Sequence, residues 1–207
     1  KEEEMTNNEI KIIELLKSGL TPFMEIQNFS EGPGIYAIGF EGDNFPFPLK
    51  TLSVTNGDII YIGKTNSSQK RRVLNTHFRS GRTGSSTLRR SLGALLRKEL
   101  TLKPIPRSLV NGRVRDYKFI IESENKLTEW MINNLTVSFY NYLGGKRLLR
   151  ELESEIISIL KPILNIDGNA INQNRSLIKE LRAKCRELAK LNIDSNKNCM
   201  RLDKVEG

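Results

Sequence analysis

The chain has 207 residues, 38 % of them hydrophobic and 28 % charged, with a formal net charge of +9. That suffices for one full domain with extensions and is the make-up of an ordinary globular fold. No apolar run reaches membrane-spanning length, and the two cysteines, Cys185 and Cys199, lack metal-ligand spacing.

The acidic start, Lys1-Glu2-Glu3-Glu4, does not resemble a signal peptide, so a reduced, cytoplasmic setting is expected. Thr6 and Glu9 have capping-box spacing, and Ile10, Ile13 and Leu16 follow at helical intervals. Together they predict an amphipathic helix over residues 7–18, closed by Gly19. Thr21-Pro22 opens a connector, and Gly32-Pro33-Gly34 is a turn that feeds a strand from Gly34 to Phe40. Residues 41–58 read as a loop with a short strand at Thr51 to Val54. Asn56-Gly57 then favours a tight turn into a second strand, Asp58 to Gly63, antiparallel to the first. A helix is expected over Gln69 to Phe78, and Ser85, Ser86 or Thr87 caps the next one. Leu88, Leu92, Leu95 and Leu96 form its buried stripe, with Arg89, Arg90, Arg97 and Lys98 on its surface.

Pro104 and Pro106 end that region. A third strand is expected at Asp116 to Glu122, a short helix at Leu127 to Leu135 and another strand at Thr136 to Tyr142. Gly144-Gly145 breaks the chain before a helix from Arg147 to Leu160, with apolar positions at Leu148, Leu152, Ile156 and Ile159. A last helix, Asn172 to Leu191, sets Leu177, Leu181, Cys185 and Leu188 on one face and carries six Lys or Arg against two Glu; residues 192–207 read as a frayed tail.

Charge placement adds to this. From Lys64 to Lys98 there are ten Lys or Arg and no Asp or Glu. A concentrated basic block favours a polyanion, because each neutralised phosphate releases counterions. The alternative, a solvated basic face, is weakened by what overlaps the block. Gly34-Ile35-Tyr36 and Tyr61-Ile62-Gly63-Lys64-Thr65 lie on strands, Arg71, Arg72 and His77 follow, and Leu152-Glu153 precedes Pro162 and Asn165. That order resembles the GIY-YIG nuclease superfamily over roughly residues 32–165.

The resemblance implies an α/β (α+β) fold: a small, mainly antiparallel sheet of three to four strands flanked by helices. It divides the chain into an N-terminal helix and connector (1–31), a catalytic domain (32–165) and a basic C-terminal helix and tail (166–207). It implies a metal-dependent DNA endonuclease. Tyr36 and Tyr61 would activate water, with Lys64 and a metal supplying the positive charge that a basic phenol needs. An arginine would grip the phosphate. Spacing from Tyr61 suits Arg71 and spacing back from His77-Phe78 suits Arg72. Arg72 is favoured because helical register holds better than loop length, and Arg71 is then a backbone-phosphate contact. His77 either bonds a motif tyrosine or the phosphate, or is a surface residue. Glu153, rather than Glu151 or Glu155, would hold one Mg2+ (or Mn2+) ion. Gly34, Gly63 and Asn165 support the site, and Arg79, Arg82, Ser86, Arg89 and Arg90 would contact DNA. A dimer is expected on palindromic targets. The competing readings are a non-cleaving nucleic-acid-binding module of the same fold and a protein-interaction domain.

Overall fold

The structure, a computed structural model, describes residues 7–43, 45, 54–110, 113–166, 172 and 174–202. In chain order its regular elements are α1 (Asn7–Ser18), β1 (Thr21–Pro22), β2 (Gly34–Phe40), β3 (Ile59–Thr65), α2 (Gln69–Arg72), α3 (Thr87–Leu96), β4 (Pro104–Val110), β5 (Arg113–Phe119), α4 (Ile121–Asn134), β6 (Leu135–Asn141), α5 (Lys146–Leu160) and α6 (Arg175–Leu202). They fall into two compact units: residues 1–78 with 129–175, and residues 79–128 with 176–207. The expected Thr6 cap and the strand expected at Thr51 to Val54 lie wholly or mainly outside the described residues.

The first unit is built on a four-stranded sheet in the order β1-β6-β2-β3, antiparallel throughout. β2 lies between β6 and β3, and all seven of its residues are buried. Side chains alternate across a strand. Ile35 and Ala37 therefore face one side with Ile62, where they pack against Ile12, Ile13 and Leu16 of α1 and Leu149, Leu152, Ile156 and Ile157 of α5. Each such side chain contributes about 1.5–3 kcal/mol when fully buried, and this side of the sheet is the unit's core. Tyr36 and Ile38 face the other side.

β3 is an edge strand, yet its outer edge is closed. Ile60 O accepts the Leu164 amide at 3.0 Å. At Ile62 the Asn165 side chain acts as a missing strand: Ile62 N–H donates to Asn165 Oδ1, and Asn165 Nδ2–H donates to Ile62 O, both at 2.8 Å.

The second unit has its own two-stranded sheet, β4 with β5, antiparallel from Pro104↔Phe119 to Val110↔Arg113. The third expected strand is therefore real but shifted, and it pairs with β4 rather than joining the main sheet. Pro104 and Pro106 begin β4 instead of only ending a helix, as an outer strand tolerates prolines. Tyr117, Phe119, Leu88, Leu92, Leu96 and Leu127 are buried here.

Several boundaries and faces differ from expectation. α4 starts at Ile121, earlier than Leu127, with Glu122 and Glu124 in its first turn, where acids complement the helix dipole. In α5 the buried stripe is Leu149, Leu152, Ile156 and Ile157, while Leu148 is exposed. In α6 it is Ile178, Cys185 and Ala189; Leu177, Leu181 and Leu188 are only half-buried, and the helix continues to Leu202. Two adjacent apolar residues give a periodic pattern two readings, and packing selects one.

Candidate active site

The two motif tyrosines share the face of the sheet opposite α1 and α5. Tyr36 pairs with Gly63 across β2 and β3, and Tyr61 lies two residues from Gly63 on the same strand. Their ring centroids are 6.4 Å apart. Gly63 is needed for close approach: a Cβ there would stand 2.4 Å from both Cζ and the hydroxyl oxygen of Tyr36. Gly34 serves the backbone in the same way, since a Cβ would stand 2.0 Å from Tyr140 O.

The segment after β3 aims two further groups at Tyr36. Ser68 caps α2, its Oγ accepting the Arg71 amide, while the Gln69 and Lys70 amides donate to Gly32 O and Ser30 O. Gln69 is wholly buried and ties this helix to β6: its Nε2 donates to Ser30 Oγ, Asn141 Oδ1 and Tyr140 O. The sequence reading missed Gln69; the one signal was a long amide at the first position of a capped helix.

The regular helix expected to Phe78 ends at Arg72. Val73–His77 form a π turn, with Phe78 N–H bonded to Val73 O. In an α-helix, positions five apart are rotated by about 140°. The wider turn closes that gap and brings Arg72 and His77 to one side. His77 is buried, and its Nε2 lies 2.7 Å from the Tyr36 hydroxyl. The surface reading of His77 is therefore wrong. The Arg72 side chain, half-buried, stands close to the Tyr36 hydroxyl, whereas Arg71 is exposed.

Tyr36 is held firmly as a phenol. Burial pushes its pKa strongly up and nearby Tyr61 adds to the rise; Arg72 opposes both and Glu153 reinforces them. Lys64, expected to tune the tyrosines, acts on Glu153. Glu153, half-buried on α5, lies beside the Lys64 backbone amide. Burial raises the Glu153 carboxyl, and the Lys64 and Arg150 charges pull it back. Glu151 and Glu155 are exposed. Glu153 thus sits just beyond the edge of β3 that Leu164 and Asn165 close. Asn165 fixes that strand, two residues away from Lys64.

The structure brings together Tyr36, Tyr61, Arg72, His77 and Glu153, with Gly34, Gly63, Lys64 and Asn165 supporting them. Arg79, Arg82, Ser86, Arg89 and Arg90 belong to the second unit. Arg79 and Arg82 are exposed. Ser86 and Arg89 are not the surface groups expected. Both are buried, and Ser86 Oγ accepts the Arg89 amide as a helix cap. The Arg89 guanidinium pairs with Glu124 at 2.6 Å and donates to Thr83 and Thr128 hydroxyls. A buried arginine needs such a partner, and the partner lies 35 residues downstream, out of sight of local periodicity. Arg90 is mostly covered and pairs with Asp116 at 2.9 Å.

Among the described residues no helix is long and apolar enough to cross a membrane. The family model described as the GIY-YIG catalytic domain matches residues 34–188. No curated protein and no solved structure matches the chain.

Proposed function

The chain belongs to the GIY-YIG family, and on that premise we propose that it is an endonuclease that hydrolyses phosphodiester bonds of DNA with the help of one divalent metal ion. The observation that carries this reading is the buried Tyr36–His77 hydrogen bond, with Arg72 close to the same hydroxyl.

A phenol kept neutral by burial is a poor standing base, so Tyr36 works as a relay. It takes a proton from water at Oη while passing its own to His77 Nε2, which accepts when that nitrogen carries no proton. The water oxygen attacks phosphorus, and the bond from phosphorus to the leaving oxygen breaks, that oxygen taking a proton from solvent. Arg72 sets a fixed positive charge beside this point and offers paired donors to the phosphate oxygens. Tyr61 walls the space next to Tyr36.

Glu153 would hold the metal. The donor set fits a hard ion: one half-buried carboxylate beside the Lys64 amide leaves the remaining positions to water and phosphate oxygens. The ion, when bound, supplies Lewis-acid stabilisation of charge on the phosphate. Arg71, Arg79 and Arg82 are exposed cations suited to backbone phosphates.

The test is cleavage of supercoiled plasmid with magnesium or manganese by wild type, Tyr36→Phe and Glu153→Ala. Nicking or linearisation by wild type alone is expected, the hydroxyl deletion costing about 10²–10⁴-fold. Undiminished cutting by either variant refutes the assignment of that residue. DNA binding without cutting by all three favours the non-cleaving module.

A further inference from the structure

The second unit holds a charge arrangement that the cleavage chemistry does not use. Arg90 leaves α3 with a side chain only 14 % exposed. Its Nη1 reaches Gly84 O and Asp116 Oδ2, each at 2.9 Å, and its Nε is buried without a hydrogen-bond partner. Arg107, exposed on β4, lays its stem across Gly84: a Cβ there would meet Cδ, Cγ and Nε at 3.0, 3.1 and 3.2 Å. Arg182 comes from α6, one turn before Cys185. It stands within electrostatic reach of Arg90 and Tyr117, and its Nε is also buried and unpartnered.

Guanidiniums from three elements thus gather around Arg90, and Asp116 is the carboxylate paired with it. Like charges gathered in a partly dry place oppose one another, and an added anion offsets both that repulsion and the lost hydration. The fall in the Arg90 pKa carries this signature: burial first, opposed by Asp116, then Arg182, with Arg107 a smaller contributor. Planar guanidiniums match oxyanions better than a halide, and a phosphate has enough oxygens to accept from more than one of them.

We propose that Arg90, Arg107 and Arg182 form a second anion site, which holds a non-reacting backbone phosphate of the DNA and makes α6 a nucleic-acid-binding element. The choice of DNA rests on the nuclease reading above; the site itself does not.

The experiment is an anisotropy titration of a labelled duplex with the whole chain, without divalent ion, across a series of salt concentrations. Wild type is compared with Arg107→Gln, Arg182→Gln and Arg107→Lys. Each glutamine substitution is expected to weaken binding several-fold and to flatten the slope of log affinity against log salt by about 1, with Arg107→Lys close to wild type. Unchanged slopes in both glutamine variants overturn the proposal. If Arg182→Gln loses its cooperative melt, the exposed Arg107→Gln decides alone. Thermal melts with inorganic phosphate form the second arm. Stabilisation of wild type but not of the variants, with unchanged DNA slopes, assigns the site to free phosphate and overturns its assignment to DNA. Because cleavage is not read, a chain that shows the expected slopes yet never cuts counts against the catalytic reading and leaves this site standing.

Discussion

Replacing Asn165 with alanine removes both partners of Ile62 at once. The two bonds are 2.8 Å long and the side chain is 7 % exposed. An orphaned buried N–H or C=O costs about 1–3 kcal/mol, so the pair predicts a loss of about 2–6 kcal/mol, toward the low end if water enters the gap. Asn165→Asp separates the two bonds. It keeps an acceptor for Ile62 N–H but turns a second carboxylate oxygen toward Ile62 O, lone pair against lone pair. Its carboxyl is therefore raised in the folded state. A raised group contributes stability that is complete below the unfolded pKa and is lost as pH rises through the folded one. Asn165→Asp should track wild type in acid and fall behind at neutral pH, while Asn165→Ala is deficient at both. Urea unfolding followed by the single tryptophan, Trp130, reads the first unit directly. A loss below about 0.5 kcal/mol for Asn165→Ala, the scale of an ordinary surface change, or a pH-independent deficit for Asn165→Asp, refutes the argument. Cleavage should fall in step with the loss, since Tyr61, Gly63 and Lys64 ride on the released strand.

Three other outcomes follow from the same geometry. Gly63→Ala should leave far-UV circular dichroism near wild type but lower cleavage about 10²-fold, because the new Cβ displaces the Tyr36 ring and misplacement near 1 Å costs that much. Glu153→Gln should abolish cleavage and raise the melting temperature at neutral pH. The raised Glu153 carboxyl stabilises only below its unfolded pKa and loses that contribution as pH rises, so the variant's gain should vanish in acid scans. Glu124→Gln leaves Arg89 without a buried counter-charge and should cost about 3–5 kcal/mol, seen as faster amide exchange in α3.

Local signals made the heart of the site legible. Glycines beside tyrosines marked the strands β2 and β3, and Leu152-Glu153 before Pro162 marked the carboxylate that turns inward. What stayed hidden depends on partners distant in sequence. Nothing around Arg89 announces Glu124, so it read as a surface cation. Nothing around Lys64 says that its charge reaches Glu153. The π turn was hidden for another reason. Val73, Leu74, Asn75 and Thr76 suit an α-helix as well as a widened one, and only the bond from His77 to Tyr36 distinguishes them. Arg72 was favoured on the assumption of unbroken helical register, yet it faces Tyr36 in a segment whose register changes directly after it.

The bonds between Ile62 and Asn165 span 103 residues, and the whole second-unit segment 79–128 is made in between. At about 5–20 residues per second of synthesis, several seconds separate the emergence of Tyr61 from that of Glu153 and Asn165. During that interval the nascent chain has its tyrosines, arginine and histidine but neither the carboxylate nor the side chain that locks β3. On the nuclease reading, products ending before residue 153 keep the exposed Arg71, Arg79 and Arg82 but lack the proposed metal ligand, and are expected to bind nucleic acid without cutting it.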